Sequence, residues 1–152
     1  MKSFIKLLLG YCTMIILLSG CSKGGSSVAV DATNPTISVT SPTAGQSFVA
    51  GNTIPFQVTF ADNIALKSYE VAITKNLTGG LVLKVVPTSV PFNYTKSTTT
   101  LSGKSQVITL TDVIIPANTA TTLVTTGTYN VKVTCVDSSN NSYSTTVQIN
   151  IN

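Results

Sequence analysis

Gly127-Thr128-Tyr129-Asn130-Val131-Lys132-Val133-Thr134-Cys135-Val136-Asp137, running through Ser138-Ser139-Asn140-Asn141 into a final segment that ends at Ile151, is the stretch whose reading decides the fold. Tyr129, Val131, Val133 and Cys135 alternate with other residues, as do Tyr143, Thr145, Val147, Ile149 and Ile151. A period of two places each set on one face of a strand. The Asp, Ser and Asn residues between the runs supply turn chemistry, because their side chains hydrogen-bond the nearby backbone. The two segments therefore read as an antiparallel hairpin with one apolar face.

The same pattern recurs upstream. Ile54, Phe56, Val58 and Phe60 alternate with polar neighbours, and Tyr69, Val71 and Ile73 repeat the alternation after an Asp62-Asn63 turn. Ile37 and Val39 mark a strand that stops at Ser41-Pro42, and Phe48 sits on a short one between Ala44-Gly45-Gln46 and Ala50-Gly51-Asn52. In the middle, Leu81 to Val86 reads as a strand, while Pro87 and Pro91 bar the residues after them from a central sheet position. Phe92 and Tyr94 restart an alternation, Thr95 to Ser105 reads as a polar run, Val107 to Leu110 as a strand, and the threonine-rich 118–126 as a loop. Helical periodicity is absent beyond the amino-terminal segment. About seven short strands with frequent turns indicate an all-β, antiparallel β-sandwich.

The amino terminus has a different character. Lys2 and Lys6 supply positive charge, and Ile5 to Leu18 is a mostly apolar run broken by Lys6, Gly10, Tyr11, Cys12 and Thr13, the outline of a secretory signal. Leu18-Ser19-Gly20-Cys21 resembles the lipobox of bacterial lipoproteins. That resemblance implies cleavage before Cys21 and lipid on its thiol and new amino terminus. The run is shorter than the about 20 apolar residues that a spanning helix needs. Two or three acyl chains make a stable anchor where one is marginal. The expected organisation is a signal peptide over residues 1–20, a lipidated cysteine and tether over 21–34, and a folded domain over 35–152. A tether of about 14 residues reaches roughly 20 Å. The expected address is the outer membrane, with the facing side left open.

Composition excludes several function classes. Removing residues 1–20 of the 152 takes Lys2 and Lys6 away and leaves seven lysines against five acids, a formal charge of +2, with no arginine. Nucleic acid is not an expected partner, and no bidentate phosphate clamp exists. Of the three cysteines only Cys135 would remain beside Cys21, so no disulfide is expected within the domain. Histidine is absent, and Asp31, Asp62, Glu70, Asp112 and Asp137 are far apart in sequence. General acid-base chemistry and a zinc centre both lack their usual residues. Ser102 and Lys104 are a pairing that arises by chance in a serine-rich chain, and Cys135, on an apolar strand face, reads as a structural thiol. The chain is not expected to be an enzyme.

Asn34-Pro35-Thr36-Ile37, Ser41-Pro42, Gly51-Asn52, Phe60-Ala61-Asp62-Asn63 with Leu66-Lys67-Ser68-Tyr69, Ile115-Pro116-Ala117, Gly127-Thr128-Tyr129, and Asp137 with Asn140 together resemble an immunoglobulin-like domain. They resemble a family of Bacteroidota lipoproteins that carry such a domain of unknown function. The resemblance covers about residues 34–152 and implies a seven-stranded sandwich with no established activity. The family pattern is rich in histidines, which implies a metal site, but Asn130 and Lys132 stand near where those side chains would lie. That function is not carried over. Tyr129 followed by Val131 also fits a tyrosine corner, with valine in place of the cysteine of antibody domains.

In such a sandwich the lead-in to the first strand, the loop after Phe60 and the last hairpin turn share one end. Asp31, Asp62, Asn63, Asp137 and Asn140 (or Asn141) are therefore candidate calcium ligands, since calcium takes about six to eight oxygens. The competing explanation is that these residues simply make turns. Phe92, Tyr94 and Tyr143 are the aromatic candidates for a glycan platform, and packing is the competing explanation for the first two. The overall expectation is a lipid-anchored, non-catalytic binding or structural module of the cell envelope. A polysaccharide-binding accessory lipoprotein and a calcium-stabilised adhesion module are the alternatives, with a glycan or a protein as partner. The loops 76–80 and 118–126 are expected to project away from the membrane.

Overall fold

Strand β9 (Gly127–Asp137) lies inside the larger of two sheets, flanked by β10 (Ser142–Ile151) and β4 (Leu66–Lys75), both antiparallel to it. The computed structural model describes residues 30–76 and 87–152. The proposed signal, Cys21, most of the tether and the 81–86 strand lie outside the described residues, as does most of the 76–80 loop. Two further strands complete this sheet, β2 (Ser47–Phe48) and β6 (Tyr94–Thr100), giving the order β2-β10-β9-β4-β6. The facing sheet has the order β1-β3-β7, from β1 (Thr36–Ser41), β3 (Phe56–Ala61) and β7 (Ser105–Leu110). No helix occurs among the described residues. This is an immunoglobulin-like β-sandwich, with β2 running parallel to β10 at one edge.

The sheets meet through the alternating residues. Phe56, Val58 and Phe60 of β3 are buried, as are Tyr69, Val71 and Ile73 of β4 and Tyr129, Val131, Val133 and Cys135 of β9. Each such large apolar side chain stabilises the fold by about 1.5–3 kcal/mol. Phe60 and Tyr69 come from opposite sheets and stack with ring centroids 5.2 Å apart. Ile54, Val113 and Ile115, which flank strands, are also completely buried in the interior.

Among the described residues the expected seven strands become eight in the sandwich, with two more outside it. Thr95 to Ser105 is not only a polar run, because most of it forms β6, paired with β4. Within 118–126 the short β8 (Thr122–Val124) pairs in parallel with β5 (Thr88–Val90) to make a separate ribbon. β6 alternates exposed with only half-buried residues, mostly Thr and Ser, and β8 is three residues long, so no apolar alternation marks either.

Register fixes the two ends. Ala61 pairs with Ser105 and Leu66 with Asp137, so the lead-in to β1, the β3–β4 connection, the β6–β7 turn and the β9–β10 turn are grouped at one end. Lys75 pairs with Tyr129 at the opposite end, where β9 begins just beyond the β5–β8 ribbon.

Candidate functional site

At the lead-in end, three aspartates come from three separate chain segments. Asp31 precedes β1, Asp62 follows β3, and Asp137 closes β9. One carboxylate oxygen from each lies within 4.8 Å of those from the other two. Asp137 is completely buried, and the other two are partly so.

Each carboxylate uses one oxygen on its own turn. Asp62 Oδ2 accepts from the amides of Ile64 and Ala65, both at 2.8 Å. Asp137 Oδ1 accepts from the amides of Ser139 and Asn141, again at 2.8 Å. Asp31 Oδ1 accepts from the Thr33 amide at 3.0 Å and from Asn63 Nδ2 at 3.2 Å. The Thr33 amide, helped by Asn63, holds the Asp31 carboxyl below its ordinary value of 3.8. Local turn chemistry accounts for these oxygens.

It does not account for two of the others. Asp31 Oδ2 and Asp62 Oδ1 are buried and have no hydrogen-bond partner. A buried acceptor without a donor is destabilising and rare in folded proteins. Among the described residues no lysine pairs with any of the three, the ion pair present being Lys96 with Asp112 at 3.1 Å. The negative charge reaches further inward, to Cys135. Its thiol is pushed up to about 11, first by burial and then by the charges of Asp62 and Asp137.

The asparagines divide differently from expectation. Asn63 touches Asp31 through its amide nitrogen. Asn140 adopts the left-handed backbone conformation of the turn, φ 69°, and its side-chain oxygen accepts from Lys67 Nζ at 2.6 Å. Asn141 is the residue that enters the cluster. Its Nδ2 donates to Asp137 Oδ2 at 2.7 Å and to the backbone oxygens of Asp31 and Thr33 at 3.0 and 3.3 Å. Adjacent asparagines in one turn cannot be told apart by composition, and only the register of the hairpin separates them.

The remaining sequence candidates scatter. Phe92 is buried, its amide donating to the Tyr129 hydroxyl, and the Tyr94 hydroxyl donates to Asp112. Tyr143 alone of the three candidate aromatics is well exposed, at 45%. Ser102 and Lys104 are exposed in the β6–β7 turn. A cleft of 490 Å³ between the end of β1 and the ends of β3 and β7 is lined by Ser41, Thr53, Pro55, Phe56, Gln57, Thr109, Leu110 and Thr111, none of them an acid or base useful near neutrality.

Residues 19–152 match the family described as Domain of unknown function (DUF4625). The chain belongs to that family. No curated protein matches it. Among solved structures it is similar to the fibronectin(III)-like modules of CbhA from Clostridium thermocellum, at 17% identity and a TM-score of 0.44, over 77% of this chain and 46% of that one. It is also similar to a β-glucosidase from Listeria innocua, at 14% identity and a TM-score of 0.41, over 76% of this chain. The chain thus spans about half of the first of these structures and 16% of the second.

Proposed function

We propose that this DUF4625 member is a lipid-anchored, non-catalytic module of the bacterial outer membrane, held by Cys21 and presenting its sandwich to a partner in the envelope. The observation that carries this reading is the pairing of Leu18-Ser19-Gly20-Cys21, which resembles a lipobox, with a chain that enters the sandwich at its Asp62 and Asp137 end. A tether attached there leaves the opposite end, with the β5–β8 ribbon, facing away from the lipid. The non-catalytic part is supported by the lack of histidine and by a cleft without an acid-base pair. The partner meets the free end through surface contacts. Burial of Phe92 and the Tyr94–Asp112 contact leave no cluster of exposed rings for a glycan among the described residues, which favours a protein partner.

The test is acylation and fractionation. Expressed in a bacterial host with labelled palmitate, the chain should carry label and sediment with the membranes, and Cys21→Ser should lose both. Label that persists in Cys21→Ser would remove the anchor. Protease treatment of intact cells then assigns the facing side.

A further inference from the structure

We propose that Asp31, Asp62 and Asp137 form a calcium site that clamps the lead-in segment onto the β3–β4 and β9–β10 connections. Three observations converge on it. One carboxylate oxygen from each lies within 4.8 Å of the others, although the residues are separated by 31 and 75 positions. Asp31 Oδ2 and Asp62 Oδ1 are buried with nothing to donate to them. No lysine among the described residues neutralises the cluster. Turn formation uses the other oxygen of Asp31 and of Asp62 and gives no reason for Asp31 Oδ2 and Asp62 Oδ1 to be buried unpaired, while Asp137 Oδ2 accepts only from Asn141 Nδ2.

The donor set selects the ion. Carboxylate oxygens are hard ligands that suit calcium, magnesium or manganese rather than zinc or copper. Oxygens all within 4.8 Å of one another can sit on one calcium shell, whose diameter at about 2.3–2.6 Å per bond is roughly 5 Å. Magnesium, at about 2.0–2.1 Å per bond, needs a tighter octahedral set. Three carboxylates supply the charge, and water completes the about six to eight oxygens calcium takes. Asn63 and Asn141 act as positioning residues, since their amide nitrogens already hold Asp31 and Asp137.

The consequence is mechanical. Asp31 belongs to the lead-in and the other two to the sandwich, so an ion held by all three fastens the start of the domain to its β3–β4 and β9–β10 connections.

The full chain, purified in detergent and stripped with chelator, provides the test by calorimetric titration and thermal unfolding. Calcium should bind one to one, and the unfolding midpoint should rise by about 10 °C at a hundredfold excess over Kd. Magnesium should bind at least tenfold more weakly. Asp31→Asn lies outside every strand and should fold normally, with calcium affinity reduced at least tenfold and the midpoint rise lost. Asp112→Asn, at the other end, should leave calcium binding unchanged. No binding heat and no midpoint change up to about 10 mM calcium, beyond the about 1 mM at which the weakest extracellular modules bind, would overturn the proposal. So would Asp31→Asn binding as tightly as the parent chain.

Discussion

The two ends of the sandwich are closed by opposite means. At the end away from the lead-in, Tyr129 fills the interior and its hydroxyl is used fully, accepting from the Phe92 amide and donating to the Thr125 carbonyl. Phe92 and Tyr129 rings lie 6.4 Å apart, so apolar contact and a satisfied polar tip act together. At the lead-in end the closing groups are carboxylates, and two of their oxygens lack donors. One end is complete within the chain, whereas the other has charge to offer to something outside it.

The largest expected effect comes from breaking the complete end. Tyr129→Ala should cost about 3–5 kcal/mol in urea denaturation, because a buried aromatic leaves both a cavity and two unpaired backbone groups. Tyr129→Phe isolates the hydroxyl, and its loss should cost about 1–3 kcal/mol. A Tyr129→Phe variant as stable as the parent would remove the tyrosine corner from the account.

Asp137→Ala asks the same of the lead-in end. Two backbone amides, Ser139 and Asn141, lose a charged acceptor. Hydrogen bonds to charged groups contribute about 1.5–3 kcal/mol, so a loss of about 2 kcal/mol is expected by the same denaturation in chelator. A gain instead would mean that relief from the neighbouring carboxylates outweighs the turn.

Cys135 reports how far that charge extends into the core. Its folded-state value is raised from 9.0 to about 11, so the unfolded chain gives up the thiol proton first. Stability from this group is complete below pH 9 and falls as pH rises from about 9 to 11. Cys135→Val should flatten that alkaline slope. In the folded protein the buried thiol should resist alkylation at pH 8 and react once urea unfolds the chain.

An element is legible in the sequence to the extent that it buries one face. β3, β9 and the second half of β10 show their period of two because one face meets the opposite sheet. β6 does not, because it is an edge strand whose Tyr94, Lys96 and Thr99 are only half-buried and whose bulge opposite Tyr69–Val71 breaks the alternation. β8 pairs with β5, a segment more than thirty residues earlier, and a three-residue parallel bridge of threonines and small apolar residues leaves no local mark. Asp31, Asp62 and Asp137 could be grouped from sandwich topology, since that requires only knowing which loops share an end. Which asparagine joins them, and which oxygens go unpaired, depends on hairpin register and backbone direction at single residues.

The smallest expected effect is at the exposed ion pair that contrasts with the acidic cluster. Asp112 is the one aspartate of the described residues with a lysine partner, Lys96, and the Tyr94 hydroxyl also donates to it at 3.1 Å. The Lys96 contact lowers its carboxyl below 3.8, and Asp112 in turn helps burial push the Tyr94 phenol up to about 12. A carboxyl depressed on folding adds stability above its unfolded value and loses it as pH falls through the folded one. The pair should therefore contribute fully above about pH 4 and lose that contribution as pH falls below it, and by no more than about 0.2–1 kcal/mol because both groups meet solvent. Lys96→Met should lower stability by that amount at pH 7 in low salt and by almost nothing in 1 M salt, where the screening length is about 3 Å. Removing calcium should not change the Lys96→Met result, because Asp112 lies at the end of the sandwich away from Asp31.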